Sequence, residues 1–129
     1  MKQIKIIIER SDDAFWAYAQ KVEGVSGVGD TVQEAKQSAL DSIEIQKELG
    51  NFPKALNGNY QVVFKFDAES LFDYYKGIFT NAAFERITGI SQAQISHYAT
   101  GLKKPRVTQA KKIEAALHKL GSELMAVEL

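Results

Sequence analysis

The sequence FTNAAFERITGISQAQISHYATGLKKPR, residues 79–106, decides how this chain is organised. Apolar residues recur at helical spacing on both sides of Gly89, and glycine adopts left-handed backbone angles without strain. Ser91 and Gln94 have the spacing of a capping box, which marks the start of a helix. We therefore predict two short helices joined by a tight glycine turn.

The second of these helices carries polar residues, and a basic loop follows it. Glutamine, serine and histidine can form hydrogen bonds with base edges in the major groove, whereas lysine and arginine bind phosphates. Six basic residues and one acidic residue lie within residues 99–119, although the whole chain has a net charge of zero. This concentration favours a DNA-binding element over the alternative, a small helical bundle with a solvated basic loop.

The same segment resembles the Cro/C1-type repressor family of helix-turn-helix proteins. Gly89 and Ile95 keep the family's spacing between the turn and the β-branched residue that fills the core, and Ile90 fits the apolar position after the turn. The first helix departs from the family, because Glu85 occupies the usual position of a small residue and Ala83 lies two positions earlier. We therefore expect a slightly longer turn.

The resemblance assigns roles to the exposed residues position by position. It implies that bases are read by Gln92, Ala93, Ser96 and His97. It implies that backbone phosphates are contacted by Gln94, Tyr98, Thr100, Lys103, Lys104 and Arg106. Repressors of this type read paired half-sites, so we expect a palindromic operator and a homodimer or higher homo-oligomer.

Helical periodicity continues on both sides of this segment. Asp67 or Ser70 can cap a preceding helix. A last long helix begins near Val107, and we expect Gly121 and Ser122 to interrupt it. Its apolar residues recur every three or four positions, at Ala110, Ile113, Leu117, Leu120 and Leu124.

The first half of the chain has the periodicity of strands. Residues 2–9 and 15–22 alternate apolar and polar side chains, and Asp12 with Asp13 provides turn chemistry between them, which predicts a hairpin. We interpret the segment that follows as a flexible or tightly turned connection, because it contains Gly24, Gly27 and Gly29.

A capped helix and a further strand complete the first half. Thr31 and Glu34 form a capping box before an amphipathic helix, and residues 60–66 alternate again. We predict an α+β protein with a β-β-α-β domain at 1–59, whose sheet is completed by strand 60–66. An all-α helix-turn-helix domain follows at 67–129.

The first half also resembles the HicB antitoxin family. The residues that carry this resemblance are IIIER at 6–10, AYA at 17–19 and GDTVQEA at 29–35. The resemblance implies a truncated RNase H-like fold, often joined to a carboxyl-terminal DNA-binding domain. It further implies an antitoxin that neutralises a small HicA-like mRNA interferase and represses its own operon.

Two other functions remain open. One is a stand-alone transcriptional regulator whose first domain senses a small ligand, and a toxin-like reading frame beside the gene would argue against it. The other is a residual RNase H-type nuclease, which would need Asp12 and Asp13 as metal ligands. Turn formation explains these two aspartates more simply.

The histidines, cysteine content and possible nucleophiles of the chain predict neither an enzyme nor a bound cofactor or metal. His97 and His118 lie 21 positions apart without a carboxylate at ligand spacing, and no residue has the context of a catalytic nucleophile. The chain has no cysteine and no apolar run long enough for a membrane span. We therefore expect a cytoplasmic protein without membrane contacts.

Overall fold

The computed structural model describes residues 2–129 and divides into two compact units, Met1–Tyr74 and Tyr75–Leu129. We call them the sheet unit and the helical unit. The sheet unit contains the strands β1 Lys2–Ser11, β2 Ala14–Ala19, β3 Ser26–Gly29 and β4 Tyr60–Phe66, the helix α1 Val32–Glu48 and a short 3-10 helix Lys54–Leu56. The later helices are α2 Ala68–Tyr75, α3 Asn81–Thr88, α4 Gln92–Ala99 and α5 Val107–Met125.

The four strands form one sheet in the order β3-β2-β1-β4. The predicted hairpin is present, because β1 and β2 are antiparallel and the turn between them contains Asp12 with a φ of 51°, a left-handed conformation that aspartate tolerates. The strand predicted at 60–66 is β4, which runs parallel to β1 at one edge of the sheet. The chain returns to this edge through α1, as a parallel pairing requires a crossover.

Helix α1 packs against one face of the sheet and forms the core with it. The predicted cap is present, since the hydroxyl of Thr31 accepts a hydrogen bond from the amide of Glu34 at 3.1 Å. The carboxylate of Glu34 in turn accepts from the amide of Asp30 at 3.0 Å. The buried core residues are Ile4, Ile6, Ile8, Phe15 and Ala17 from β1 and β2, and Val32, Ala35, Ala39 and Ile43 from α1.

The β-β-α-β order is wrong in one respect, because the glycine-containing connection includes the third strand β3. Its glycines are required by packing, not by flexibility. A Cβ atom at Gly27 would overlap the backbone nitrogen of Ala39, and one at Gly29 would overlap the side chain of Glu34. The backbone of α1 therefore approaches β3 more closely than any side chain would allow. The order of the sheet unit is β-β-β-α-β.

Helix α2 follows β4 after a single residue, and Asp67 joins the two. One oxygen of its carboxylate accepts from the amide of Ser70 at 2.9 Å and caps the helix. The other accepts from the amide of Arg10 at 3.1 Å, which ties the cap to the end of β1. Tyr74 stacks on Phe66 with ring centroids 5.7 Å apart. The compact sheet unit therefore ends at Tyr74, the penultimate residue of α2, eight residues past the division predicted after residue 66.

Helix α5 is longer than the sequence pattern predicted. It continues through Gly121 and Ser122 to Met125, so the expected interruption is wrong. Ile113 is its buried residue, whereas Leu124 is 60% exposed. Of the helices within residues 2–129, none combines the length and the apolar character needed to cross a bilayer.

Candidate nucleic-acid interface

The helical unit contains two helices of eight residues joined by a three-residue turn. The hydroxyl of Thr80 caps α3 by accepting from the amide of Ala83 at 3.0 Å. Helix α3 ends at Gly89, whose φ of 76° is the left-handed conformation predicted for the turn. Ser91 then caps α4, because its hydroxyl accepts from the amide of Gln94 at 3.2 Å. Three residues between the helices is the usual length for this motif, so the longer turn expected from Glu85 is not present.

A compact core fixes the angle between these helices. Ile95, the predicted core residue of the second helix, is completely buried, and Phe84 is 1% exposed. The ring of Phe79 packs edge-on against Phe84 with centroids 5.4 Å apart. The other buried members are Thr88, Ile90, Tyr98 and Ile113.

Thr88 holds the turn in place from inside the core. Its hydroxyl donates to the carbonyl of Phe84 at 2.7 Å and accepts from the amide of Ile90 at 3.1 Å. The amide of a turn residue is thus satisfied by a side chain of α3, although both groups are buried. Because an unpaired buried amide is costly, this pair favours one turn conformation.

Glu85 has a role that sequence reasoning did not identify. Its carboxylate accepts a hydrogen bond from the backbone amide of Gln92, the first residue of α4. A helix leaves its first amides without internal partners, and a negative charge at that end is favourable. The residue that departs from the family pattern therefore fastens the second helix to the first. The signal lay in the sequence as an acidic residue close before a helix start, but only the folded turn brings the two together.

The four residues predicted to read bases lie on α4 with graded exposure. Gln92 and Ala93 are exposed, and Ser96 and His97 are half-buried. The Nδ1 atom of His97 is buried and has no hydrogen-bond partner within residues 2–129. Nε2 is consequently the ring nitrogen through which this histidine can contact a ligand.

Gln94 and Tyr98, which were predicted to contact phosphates, bind one another. The side-chain amide of Gln94 was expected to reach back to Ser91 and instead donates to the hydroxyl of Tyr98 at 2.9 Å. Tyr98 is only 3% exposed, so its ring belongs to the core of the helical unit. The half-buried Gln94 therefore lies against Tyr98, and the hydroxyl of Tyr98 is bound within the protein.

The remaining candidates for phosphate contacts are exposed. The hydroxyl of Thr100 donates to the carbonyl of Ser96 at 3.1 Å, which leaves its lone pairs available. Lys103, Lys104 and Arg106 lie in the loop between α4 and α5, where the amide of Lys103 donates to the carbonyl of His97 at 3.1 Å. That bond holds the basic loop against the end of α4.

The two units carry opposite net charges. The sheet unit contains eight Lys/Arg and twelve Asp/Glu, a net charge of −4. The helical unit contains eight Lys/Arg and four Asp/Glu, a net charge of +4. The structural division therefore sharpens the asymmetry that the sequence shows, and the positive unit is the one with the helix-turn-helix geometry.

Comparison with known proteins identifies the class of the helical unit. Residues 76–124, which are 49 of the 129, match the family model described as helix-turn-helix. Neither curated proteins nor solved structures gave a match to the chain. The geometry and the family match together identify a DNA-binding helix-turn-helix domain in the helical unit.

Within residues 2–129, no three histidine or acidic side chains are grouped so that they could hold a metal ion. Asp12 and Asp13 are the exposed turn between β1 and β2.

Proposed function

We propose that this protein is an antitoxin of the HicB type. Its sheet unit would bind and neutralise a HicA-like mRNA interferase, and its helical unit would repress the operon that encodes both. The observation that carries the proposal is the pairing of a positively charged helix-turn-helix domain with a sheet unit of net charge −4. The β-β-β-α order of the sheet unit supports the truncated RNase H-like fold that the resemblance implies.

For DNA recognition, we propose that α4 lies in the major groove. Gln92 and Ala93 at its exposed start would contact adenine and thymine, and Ser96 with Nε2 of His97 would contact the next bases. Thr100, Lys103, Lys104 and Arg106 would bind phosphates, whereas Gln94 would reach a phosphate from its position against Tyr98. Tyr98 would act through Gln94, because its own hydroxyl is already bound.

We further propose that the operator is palindromic and that two copies of the chain bind it. Helix-turn-helix domains read half-sites about one helical turn apart, which requires a two-fold related pair of domains. The end of α5 offers apolar surface for such a pair, since Leu124 and Met125 are 60% and 89% exposed.

A ligand-sensing regulator is the alternative function, and it has less structural support. A recess in the sheet unit lined by Gln3, Lys5 and Gln20 has a volume of about 190 Å³. Pockets that bind small molecules usually measure about 300–1,000 Å³ and are largely apolar. The lining of this recess is mixed, because Ile4, Ala19 and Val22 lie beside these polar residues and Lys21. These properties favour a protein partner over a small ligand.

The experiment that tests the proposal is co-expression with the product of the reading frame beside the gene. The antitoxin function predicts that this product arrests growth alone, that the present chain restores growth, and that the two co-purify. It also predicts that the purified chain retards DNA of its own promoter but not unrelated DNA of the same length. Growth arrest without rescue would contradict the antitoxin function, and promoter binding without any toxin would favour the alternative.

A further inference from the structure

We infer that the outer face of the sheet, opposite α1, is the surface that binds the basic RNA-cleaving partner, with Trp16 at its centre. This inference rests on the proposed function. Residues of a strand alternate between the two faces of a sheet. Since Phe15 and Ala17 are buried against α1, Trp16 and Tyr18 project from the opposite face, where they are 47% and 37% exposed.

Strand register joins the exposed residues into one patch. Trp16 pairs with Val28 of β3 on one side and with Glu9 of β1 on the other. Val28 is itself 45% exposed. Tyr18 pairs with the half-buried Ile7, so two neighbouring rows of the sheet present apolar side chains. Exposed tryptophan and tyrosine in a contiguous patch are typical of the centre of a protein interface.

Acidic residues border this patch at one end of the sheet. The β1–β2 turn lies there, and the pairing of Phe15 with Gly29 shows that β3 ends there too. We define the acidic end as the exposed residues Glu9, Asp12, Asp13, Asp30 and Glu34. The basic residue of this region, Arg10, is half-buried and its guanidinium lies over the ring of Phe15, 4.6 Å from the centroid. The acidic end therefore carries net negative charge next to the row of Trp16, and the exposed lysines of the outer face, Lys5 and Lys65, lie in the following rows of the sheet.

Charge complementarity identifies the occupant. A protein that binds and cleaves RNA needs a positively charged surface for the phosphates of its substrate. The acidic end would attract that surface in place of RNA. The apolar patch around Trp16 would supply the buried contacts that make dissociation slow. Single-stranded RNA could stack on exposed aromatic rings, but the negative charge of the acidic end would repel its phosphates.

Two sets of matched variants test this inference with the full-length chain and the tagged product of the neighbouring reading frame. Trp16→Ala and Val28→Lys alter the patch, and Leu49→Lys is the control, because Leu49 is 64% exposed and caps the end of α1, the helix that covers the other face. We expect Trp16→Ala and Val28→Lys to weaken binding by at least about 30-fold and Leu49→Lys to leave it unchanged.

The second set compares two triple variants of the sheet unit. One removes three negative charges from the acidic end, and the control removes three from elsewhere. Asp12→Asn, Asp13→Asn and Asp30→Asn together should slow association about tenfold at low salt, with little effect at high salt. Asparagine tolerates the left-handed backbone of position 12. The control triple, Glu23→Gln, Glu44→Gln and Glu48→Gln, changes net charge equally and should leave association unchanged.

The outcomes separate this inference from the proposed function. If the wild-type chain binds the product and all patch and acidic-end variants bind equally well, the outer face is not the interface and the antitoxin function stands. If the wild-type chain does not bind the product, both this inference and the proposed antitoxin function are wrong. Urea unfolding of each variant, followed by circular dichroism, reports folding of the sheet unit, which contains all the substituted positions. If Trp16→Ala instead changes only the mass of the chain's own oligomer, the occupant is a second copy and the inference is overturned.

Discussion

The carboxylate of Glu85 accepts a hydrogen bond from the amide of Gln92, across the turn that separates α3 from α4. Gln92 is also the residue proposed to read a base at the exposed start of α4. The contact therefore connects the geometry of the turn to recognition, because it restrains the backbone that carries the reading side chain. Rigid support of this kind is what a recognition residue needs in order to distinguish bases.

The first prediction concerns this contact. Glu85→Ala leaves the first amide of α4 without its partner and should destabilise the helical unit by about 1–2 kcal/mol, the usual cost of losing a helix cap. Glu85→Gln retains an acceptor without the charge and should cost less. Hydrogen exchange measured by NMR should show faster exchange of the Gln92 amide in Glu85→Ala. Equal protection in both variants and wild type would show that the contact does not hold the helix.

The second prediction concerns base reading. Gln92→Ala should reduce discrimination at one base pair of each half-site by about 1–3 kcal/mol while leaving affinity for random DNA almost unchanged. His97→Ala should do the same at a neighbouring position. Binding to a panel of operators with single base changes measures this. Gln33→Ala on the exposed surface of α1 is the control. A uniform loss across the whole panel would instead assign Gln92 a phosphate contact or a structural role.

The third prediction concerns the basic loop. Lys103→Ala and Lys104→Ala should weaken binding to all sequences alike and should each reduce the slope of log affinity against log salt by about 0.9, since each contact releases condensed counterions. Lys54→Ala in the sheet unit removes the same charge and should not change the slope. A fluorescence titration over several salt concentrations gives the slopes. Unchanged slopes for both loop variants would place the phosphate contacts elsewhere.

The fourth prediction concerns the close approach of α1 to β3. Gly27→Ala places a methyl group against the backbone of Ala39 and should destabilise the sheet unit by about 1–3 kcal/mol, because backbone cannot move aside as a flexible side chain can. Gly121→Ala is the control within a helix, where the added methyl meets no atom within 4 Å. It should stabilise α5 by about 0.5–1 kcal/mol. Urea unfolding of both variants measures the difference. A neutral Gly27→Ala would show that the helix can shift away from the strand.

The elements that the sequence predicted are those whose signals are local. Ser91 and Thr31 each cap a helix through their own hydroxyl and an amide three residues on, and both caps are present. Strand β3 gave no such signal, because two of its four residues are glycines and its stability comes from pairing with β2 and contact with α1. The continuation of α5 through Gly121 could not be predicted from the sequence either. The cost of one glycine in a helix, about 1 kcal/mol, is offset by the helix formers around it.

The candidate site was predictable to the same degree. The exposure of Gln92 and Ala93 follows from helical periodicity around the buried Ile95, and periodicity can be counted along the sequence. The bond from Gln94 to Tyr98 could not be predicted in this way, because a glutamine at the third position of a helix can equally turn back to the cap. The choice depends on where the core places the tyrosine hydroxyl.

The last prediction concerns Tyr18 and Glu9 on the outer face of the sheet. The hydroxyl of Tyr18 donates to the carboxylate of Glu9 at 3.0 Å, and this bond, with smaller contributions from burial and from repulsion by Glu9, raises the pKa of Tyr18 above its usual value of 10.0. A raised pKa in the folded protein means that the pair is stabilising below the pKa of an unfolded tyrosine. That stabilisation is lost as the pH rises through the folded pKa. Glu9→Gln should therefore lower the pKa of Tyr18, as followed by the NMR signals of its ring between pH 8 and 12, about two units either side of the usual value.

The control for this titration is Glu23→Gln, which removes a carboxylate from outside strands β1 and β2 and should leave the pKa of Tyr18 unchanged. If Glu9→Gln and Glu23→Gln give the same titration curve as wild type, Tyr18 does not hold Glu9 in solution. The pair would then not orient the carboxylate beside Trp16, and Glu9 would contribute to partner binding only through its charge. If Glu9→Gln alone lowers the pKa, the tyrosine fixes this carboxylate in the row of the sheet where the apolar patch meets the acidic end.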